Sequence, residues 1–261
     1  MRSAPMRRAS WRRSDVSGIA IVTGGANGIG RSVSLRLAAD GFAVEIVDLE
    51  RQNSEALVAE IAANGGRAAA HVADATSAEQ VKGVVAKIVR RCGRIDALAN
   101  IAGGTVYLKR VEELTWDEWK ADLDRNLKTT FLFCREVSAV MIRQRSGRIV
   151  NTASNYALTG SALRTPYSAA KAAIIGFSKS LALEVAPFGV AVNVIAPGPT
   201  DTPRVLAKST PERRRAWEEL IPMGRTAQPD EIAVAVAFLL GPDSTYMVGQ
   251  TLHVNGGLVM P

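Results

Sequence analysis

Tyr167 and Lys171 stand four residues apart, Ser154 lies thirteen residues before the tyrosine, and a glycine-rich run, Thr23-Gly24-Gly25-Ala26-Asn27-Gly28-Ile29-Gly30, sits near the start. Each feature alone is weak. Residues at i and i+4 share a helix face, and most such pairs are surface or packing residues. Here the pair falls in Thr165-Pro166-Tyr167-Ser168-Ala169-Ala170-Lys171, where the proline favours a helix start and the small residues permit close packing. Both side chains are therefore expected in the first turns of one helix, facing the same way. A phenol with an ordinary pKa of about 10 serves as acid or base at neutral pH only if a nearby cation stabilises its anion. Lys171 is placed to be that cation, and the implied chemistry is proton exchange with a substrate oxygen.

The glycine run follows a strand-like stretch, residues 19–23, and opens a helical one. In that context backbone N–H groups and a helix N-terminus meet a pyrophosphate, and glycines let the backbone approach it. Without that context the run would be only a tight turn. Gly24, Asn27, Gly28, Ile29 and Gly30 are the expected contacts. Asp48 stands eighteen residues past Gly30, at the end of the next strand-like run. A carboxylate there accepts hydrogen bonds from adenosine ribose hydroxyls and repels a 2′-phosphate. NAD is expected over NADP.

The elements that must position these groups follow from periodicity. β-branched runs alternate with amphipathic helical stretches throughout, the pattern of βαβ units and a parallel sheet. Strands are predicted at residues 19–23, 43–47, 68–72, 97–100, 148–152, 191–195 and 251–254, and helices at 28–40, 54–63, 78–91, 116–144, 167–186 and 229–240. The expected fold is α/β: a three-layer Rossmann fold whose seven-stranded parallel sheet is flanked by helices. Thr115 and Glu118 read as a capping box for the helix at 116–144. Asn126, inside that helix, is by default a solvated residue, yet asparagine is a mediocre helix former and its place there favours a function. The longest irregular stretch, residues 199–225 with a helical piece at 212–220, reads as a lid or binding loop.

Taken together, the turn 23–30, Asp74, Asn100-Ile101-Ala102-Gly103, Asn126, Ser154, the Tyr167/Lys171 pair and Pro197-Gly198-Pro199-Thr200-Asp201-Thr202 resemble the short-chain dehydrogenase/reductase family, over about residues 18–257. The resemblance implies hydride exchange between NAD(H) and a secondary alcohol or ketone, with the protein supplying orientation and a proton. By that resemblance Tyr167 is the acid/base, Lys171 lowers its pKa and holds the nicotinamide ribose, Ser154 hydrogen-bonds the substrate oxygen, and Asn126 anchors a water linking Lys171 to solvent. Asp74 would meet the adenine beside the Ala75 backbone, and Asn100, Ala102 and Gly103 would line the adenosine and ribose side. Pro197, Gly198, Thr200 and Thr202 would hold the nicotinamide carboxamide. The second asparagine of the family's Asn-Asn-Ala-Gly is Ile101 here. Phosphate-preferring members carry a basic residue where this chain has Asn27 or Leu49, which agrees with NAD, although Arg31 and Arg51 lie nearby.

Substrate contacts are expected from Thr105, Tyr156 and Arg164. Gly103-Gly104-Thr105 with Arg164-Thr165-Pro166-Tyr167 resembles dehydrogenases of carboxylated cyclohexadiene diols, and Pro199-Thr200-Asp201-Thr202 with Gly256-Gly257-Leu258 resembles dehydrogenases of cyclic hydroxyacyl-CoA. Both resemblances imply oxidation of a ring alcohol bearing an anionic group. A homotetramer or homodimer, formed through the helices at 116–144 and 167–186, is also implied. Two other functions stay open: a 3-oxoacyl-[acyl-carrier-protein] reductase, against which Asp48 counts because reductive biosynthesis draws on NADPH, and a non-catalytic NAD-sensing scaffold, against which the intact Ser154, Tyr167 and Lys171 count.

Charge and composition remove several classes. The formal net charge is +7, but Arg2, Arg7, Arg8, Arg12 and Arg13 precede the first acidic residue, Asp15, so the rest of the chain is only about +2. No stacking aromatic beyond Trp11 accompanies those arginines, and no nucleic-acid partner is expected. Residues 1–14 are expected to be a disordered basic tail without the apolar stretch of a secretory signal, and residues 15–261 a single domain. No apolar run approaches the roughly 18 residues of a membrane helix. Cys92 and Cys134 lack metal-ligand spacing, so no metal site is expected and reduced thiols in a cytoplasmic protein are.

Overall fold

The structure, a computed structural model, describes residues 18–261, and the arginine tail lies outside the described residues. β1 (Ile19–Thr23), α1 (Gly28–Ala39), β2 (Ala43–Asp48), α2 (Arg51–Ala63), β3 (Arg67–Val72) and α3 (Ala78–Cys92) open the chain. β4 (Ala97–Asn100) leads through α4 (Trp116–Leu123) and α5 (Thr129–Gln144) to β5 (Gly147–Thr152). The short α6 (Tyr156–Thr159) precedes α7 (Thr165–Val185) and β6 (Val190–Pro197), and α8 (Pro203–Lys208), α9 (Pro211–Leu220) and α10 (Pro229–Leu240) precede β7 (Thr251–Val254).

The seven strands are all parallel and lie in the order β3-β2-β1-β4-β5-β6-β7. Successive side chains on a strand point to opposite faces, so a sheet covered on both sides must be apolar on both. β1 does this with Ala20 and Val22 on one face and Ile21 on the other, and β4 with Ala97 and Ala99 opposed to Leu98. Val33 and Leu37 of α1 pack with Ile232 and Val236 of α10 on the first face. Val85 of α3, Phe133 and Val137 of α5 and Val185 of α7 fill the second. The chain runs outward through β2 and β3, then returns to place β4 beside β1. Where the strand order reverses, the two crossovers diverge from the carboxyl ends of β1 and β4 and leave a crevice.

The helix predicted as continuous over residues 116–144 contains a π-helical turn at Asp124–Lys128. Side chains have taken carbonyls from the ordinary ladder: Asn126 Nδ2 donates to Asp122 O at 2.9 Å, and the Thr129 and Thr130 hydroxyls donate to Asn126 O at 3.0 and 2.9 Å. Such competition widens a turn, and isolated π turns recur at functional sites. Helices α6 and α8 were not predicted. The second carried a legible signal, Thr202-Pro203, in which Thr202 Oγ1 accepts from Val205 N–H and proline takes the first helical position. Glu45, midway along β2, is buried 2.7 Å from the Nε2 of His71 on β3 and is paired with Arg91 at the end of α3. Without such partners the cost of desolvation would keep a carboxylate out of a sheet interior.

Phe133, fully enclosed in the second core layer, is expected to cost about 3–5 kcal/mol when replaced by alanine. The loss should appear as a lower urea midpoint with an unchanged m-value, and a loss under about 1 kcal/mol would contradict this packing.

Candidate active site

At the carboxyl ends of the strands lies a cavity of about 770 Å³, a size suited to small molecules and cofactors. One end is backbone. Gly24 has φ +62° and lies so close to the segment after β4 that a Cβ would sit 2.9 Å from Ala102 Cα, while a Cβ on Gly30 would collide with the Gly24 carbonyl. Only glycine permits both approaches. Ser77, Thr115, Thr202 and Thr210 cap α3, α4, α8 and α9 with their side chains, whereas Asn27 makes no such bond at the start of α1. The first-turn amides of α1 and its positive dipole end thus face the cavity wall formed by Asn27, Gly28, Ile29 and Gly30. Asp48 is held at the rim by two amides, its Oδ2 accepting from Ala26 N–H at 3.0 Å and its Oδ1 from Glu50 N–H at 3.1 Å. A bare glycine cradle, an uncapped helix start and a fixed carboxylate fit a dinucleotide.

The structure brings most of the sequence-predicted residues to this one cavity. Ala102, Gly103, Thr105, Ser154, Tyr156 and Arg164 line it. So do Tyr167, Lys171, Pro197, Gly198, Thr200 and Thr202. Five predicted site residues are not on its wall: Asn126, which holds the loop behind it, and Asn100, Asp74, Ala75 and Leu49. Asn100 is buried inside the sheet, where its Nδ2 donates to Asn151 Oδ1 at 2.8 Å. Asp74 Oδ1 accepts from both the amide and the hydroxyl of Thr76 at 2.8 Å, closing the turn that contains Ala75. Leu49 is 64% exposed beside the rim, where Glu50 and Asn53 take part in the wall instead.

The other end of the cavity holds Ser154, Tyr167 and Lys171. Ser154 follows β5, its Oγ accepting from Tyr156 N–H and donating to Asn155 Oδ1, both at 3.2 Å. Lys171, one turn after Tyr167 on α7, is only 3% exposed, and its Nζ donates to Thr152 O at 2.7 Å. Burial pushes this ammonium down from 10.5 to about 7. Burial likewise raises the Tyr167 phenol above its ordinary value, and the Ser154 hydroxyl and then the charges of Arg164 and Arg204 offset that rise only in part. The sequence assigns the stabilising cation to Lys171, whose Nζ does lie 5.7 Å from the phenol ring centre. The cationic charges that lower the phenol are those of two arginines outside the motif, Arg164 and Arg204.

Asn126 reaches the site through the π turn. Its Oδ1 accepts from Gly104 N–H at 2.9 Å, and its oxygen occupies the space a Cβ on Gly103 would need. Asp122, one turn earlier and fully buried, accepts from Val106 N–H at 2.9 Å, and desolvation raises its carboxyl pKa. Arg204 of α8 closes the same loop from the opposite side, donating to the carbonyls of Gly103 and Thr105. Gly103 and Gly104, at φ +153° and +125°, give the loop the shape these contacts need. Sequence reasoning did not single out Asp122 or Trp217. The signal available for Asp122 was its i,i+4 spacing from Asn126.

Among known proteins, a family model described as enoyl-(acyl carrier protein) reductase matches residues 24–259. The chain is 37% identical over 245 residues to the 3-oxoacyl-[acyl-carrier-protein] reductase FabG of Thermotoga maritima, covering 93% of this chain and 98% of that protein. It is 38% identical over 242 residues to BbsD of Thauera aromatica, a subunit of (2S)-[(R)-hydroxy(phenyl)methyl]succinyl-CoA dehydrogenase, covering 92% and 95%. Among solved structures, an NAD⁺-bound xylitol dehydrogenase superposes with a TM-score of 0.87 at 34% identity, covering 92% of this chain and 98% of that one.

The depressed Lys171 pKa makes a prediction about stability. Between about 7 and 10.5 the unfolded chain holds the lysine proton and the folded chain releases it, so the unfolded state binds more protons and stability rises with pH across that window. The burial penalty is complete below the folded value and vanishes above the unfolded one. Lys171→Met removes the penalty. Its melting temperature relative to the parent should therefore be highest near about pH 6.5 and fall steadily toward about pH 9.5. A difference independent of pH would contradict the burial of a titrating ammonium.

Proposed function

The chain belongs to the short-chain dehydrogenase/reductase family, and from that premise we propose that it is an NAD-dependent dehydrogenase oxidising a small secondary alcohol with a carboxylated, cyclic or hydroxyacyl frame. Oxidoreductase activity of the family's kind is the shared property of the relatives. The observation that carries the proposal is the meeting of Ser154, Tyr167 and Lys171 in the cavity whose far end is the glycine turn and Asp48. When bound, the nicotinamide accepts or supplies the hydride. The protein's own groups orient the alcohol and manage its proton. Ser154, its Oγ held by the Tyr156 amide, turns its one proton from Asn155 Oδ1 to the substrate oxygen. Tyr167, as its phenolate, takes the hydroxyl proton during oxidation and, as the phenol, returns it during reduction. Arg164 and Arg204 supply positive potential to the phenolate, and Lys171, its Nζ 5.7 Å from the ring centre, is assigned the same role by its place in the motif. Asn126 keeps the 103–107 loop in place against the cavity.

Asp48 supports NAD as the coenzyme. Its carboxylate is fixed by two backbone amides at the place where a 2′-phosphate would approach, and Glu50 adds a second negative charge to the same rim. Reduction of a 3-oxoacyl group is the alternative activity, supported by the name of the Thermotoga maritima relative. A cytoplasmic homotetramer or homodimer fits the rest of the molecule. Phe131 of α5 and Leu183 of α7 are large exposed apolar side chains on the helices expected to pair. Cys134 is buried with its pKa pushed up to about 12, Cys92 is half-buried, and both thiols are free.

Absorbance of NADH over a panel of hydroxy acids, hydroxyacyl thioesters, cyclic diols and sugars tests the activity. Tyr167→Phe should reduce turnover to below about a tenth of the parent while NAD affinity stays within a few-fold, because it deletes the proton carrier and little binding surface. Asp48→Ala should narrow the preference for NAD over NADP by about an order of magnitude. A parent enzyme that already favours NADP would overturn the coenzyme assignment and leave the 3-oxoacyl reductase.

A further inference from the structure

The charges on the cavity wall are segregated. Asp48 and Glu50, its acidic residues, both lie at the coenzyme end. The substrate end presents Arg164, Arg204, Lys208 and Arg213. Among the described residues none of these four makes an ion pair. Arg204 is committed to the loop carbonyls already described. Arg164 and Arg213 are not so engaged, and they differ from ordinary surface arginines in three ways.

Arg164 caps the start of α7, three residues before Tyr167, with its guanidinium 5.4 Å from the centre of the Tyr156 ring. Its Nε is buried and has no hydrogen-bond partner. An N–H left unsatisfied in this way costs about 1–3 kcal/mol, more on a charged group, unless something accepts from it. Arg213 comes from the lid. Of the run Arg213-Arg214-Arg215, the middle residue turns away to pair with Asp201 at 3.2 Å, and only the first lines the cavity. Its guanidinium is stacked 5.0 Å from the centre of the Trp217 ring. Burial and then the charge of Arg164 hold the Arg213 pKa below its ordinary value. Two guanidinium groups are thus oriented by aromatic rings, close enough to repel, with no carboxylate between them. Guanidinium forks match carboxylates and phosphates, and a shared anion converts this repulsion into attraction.

We propose that Arg164 and Arg213 form a two-arginine receptor for an anionic group, a carboxylate or a phosphate, that the substrate carries away from its reacting carbon. The assignment rests on the dehydrogenase function proposed above, and it makes the lid part of substrate recognition. The receptor selects among alcohols by charge, and Tyr156 and Trp217 shape the space beside it. Contact with the anion persists from ground state to transition state, so it acts on KM more than on kcat.

Calorimetric titration with cyclohexanol, cyclohexanecarboxylate and inorganic phosphate tests the receptor without requiring turnover, on the NADH-loaded protein and in a parallel run without coenzyme. The carboxylate should bind at least about tenfold more tightly than the alcohol, as expected for a charge-assisted contact. Arg164→Gln and Arg213→Gln should each remove that difference, and the double variant should lose little more than either alone because the two act as a unit. Arg215→Gln, outside the cavity, should leave it intact. Phosphate bound more tightly than carboxylate would assign the receptor to a phosphoryl-bearing substrate, and the reverse order to a carboxylic acid. Equal binding of alcohol and carboxylate overturns the proposal. So does a preference that survives loss of both arginines, or one that Arg215→Gln removes equally. Failure of the coenzyme assignment would look different: NADH would not bind, while the anion preference would persist in the run without it.

Discussion

The Lys171 ammonium, buried and donating at 2.7 Å to the Thr152 carbonyl, ties α7 to the end of β5. The positions of Ser154 and Tyr167, the groups proposed to act on substrate, depend on that tie. Thr152 is the last residue of β5, and Ser154 lies two residues beyond it. Tyr167 precedes Lys171 by one helical turn, so a lysine fixed on the strand end also fixes the face of α7 that presents the phenol. The arrangement is costly in isolation, because desolvation disfavours the charged amine. A fold keeps such a group where its charge is useful, and here the neighbour is a phenol whose anion needs positive potential.

A second constraint acts on the loop after β4. Residues 103–107 carry no regular structure, yet three distant elements hold them: Asn126 from the π turn, Asp122 from α4 and Arg204 from α8. Each uses a side chain to satisfy loop backbone that could not otherwise be buried beside a cavity. The π turn is part of the same device. By widening the helix at residues 124–128 it lets Asn126 donate to Asp122 O while its oxygen faces Gly104. Arg204 adds a link between this loop and the lid, so the two walls of the substrate end are not independent.

Charge segregation along the cavity gives the site a direction. Carboxylates at one rim suit ribose hydroxyls and discourage a phosphate, whereas arginines at the other end attract anions. Between them the glycine turn and the start of α1 supply amides without side chains. One cavity can therefore hold the anionic middle of a dinucleotide and a second anion without placing either against a carboxylate.

Periodicity in the chain determined the sheet and its flanking helices, because alternation at two and 3.6 residues records which faces are buried. The glycine turn, Asp48, Ser154 and the Tyr167/Lys171 pair were legible for a different reason: their chemistry depends on residue type and on short spacing, which the chain carries directly. Tertiary structure decided whatever depends on partners distant in sequence. Lys171 could be named as the cation, but its burial against Thr152 is set by how α7 lands on β5. The burial of Glu45 inside the sheet is set by His71 and Arg91, 26 and 46 residues away. Asn126 stood out only mildly, and its hold on Gly104, 22 residues away, follows from a π turn that helix propensity does not encode. Arg164 stood out by its place three residues before Tyr167, whereas nothing in the local sequence of Arg213, 49 positions on, distinguishes it from a solvated arginine. The fold brings both to the wall of one cavity, and a juxtaposition across that distance in sequence is what the linear chain cannot display.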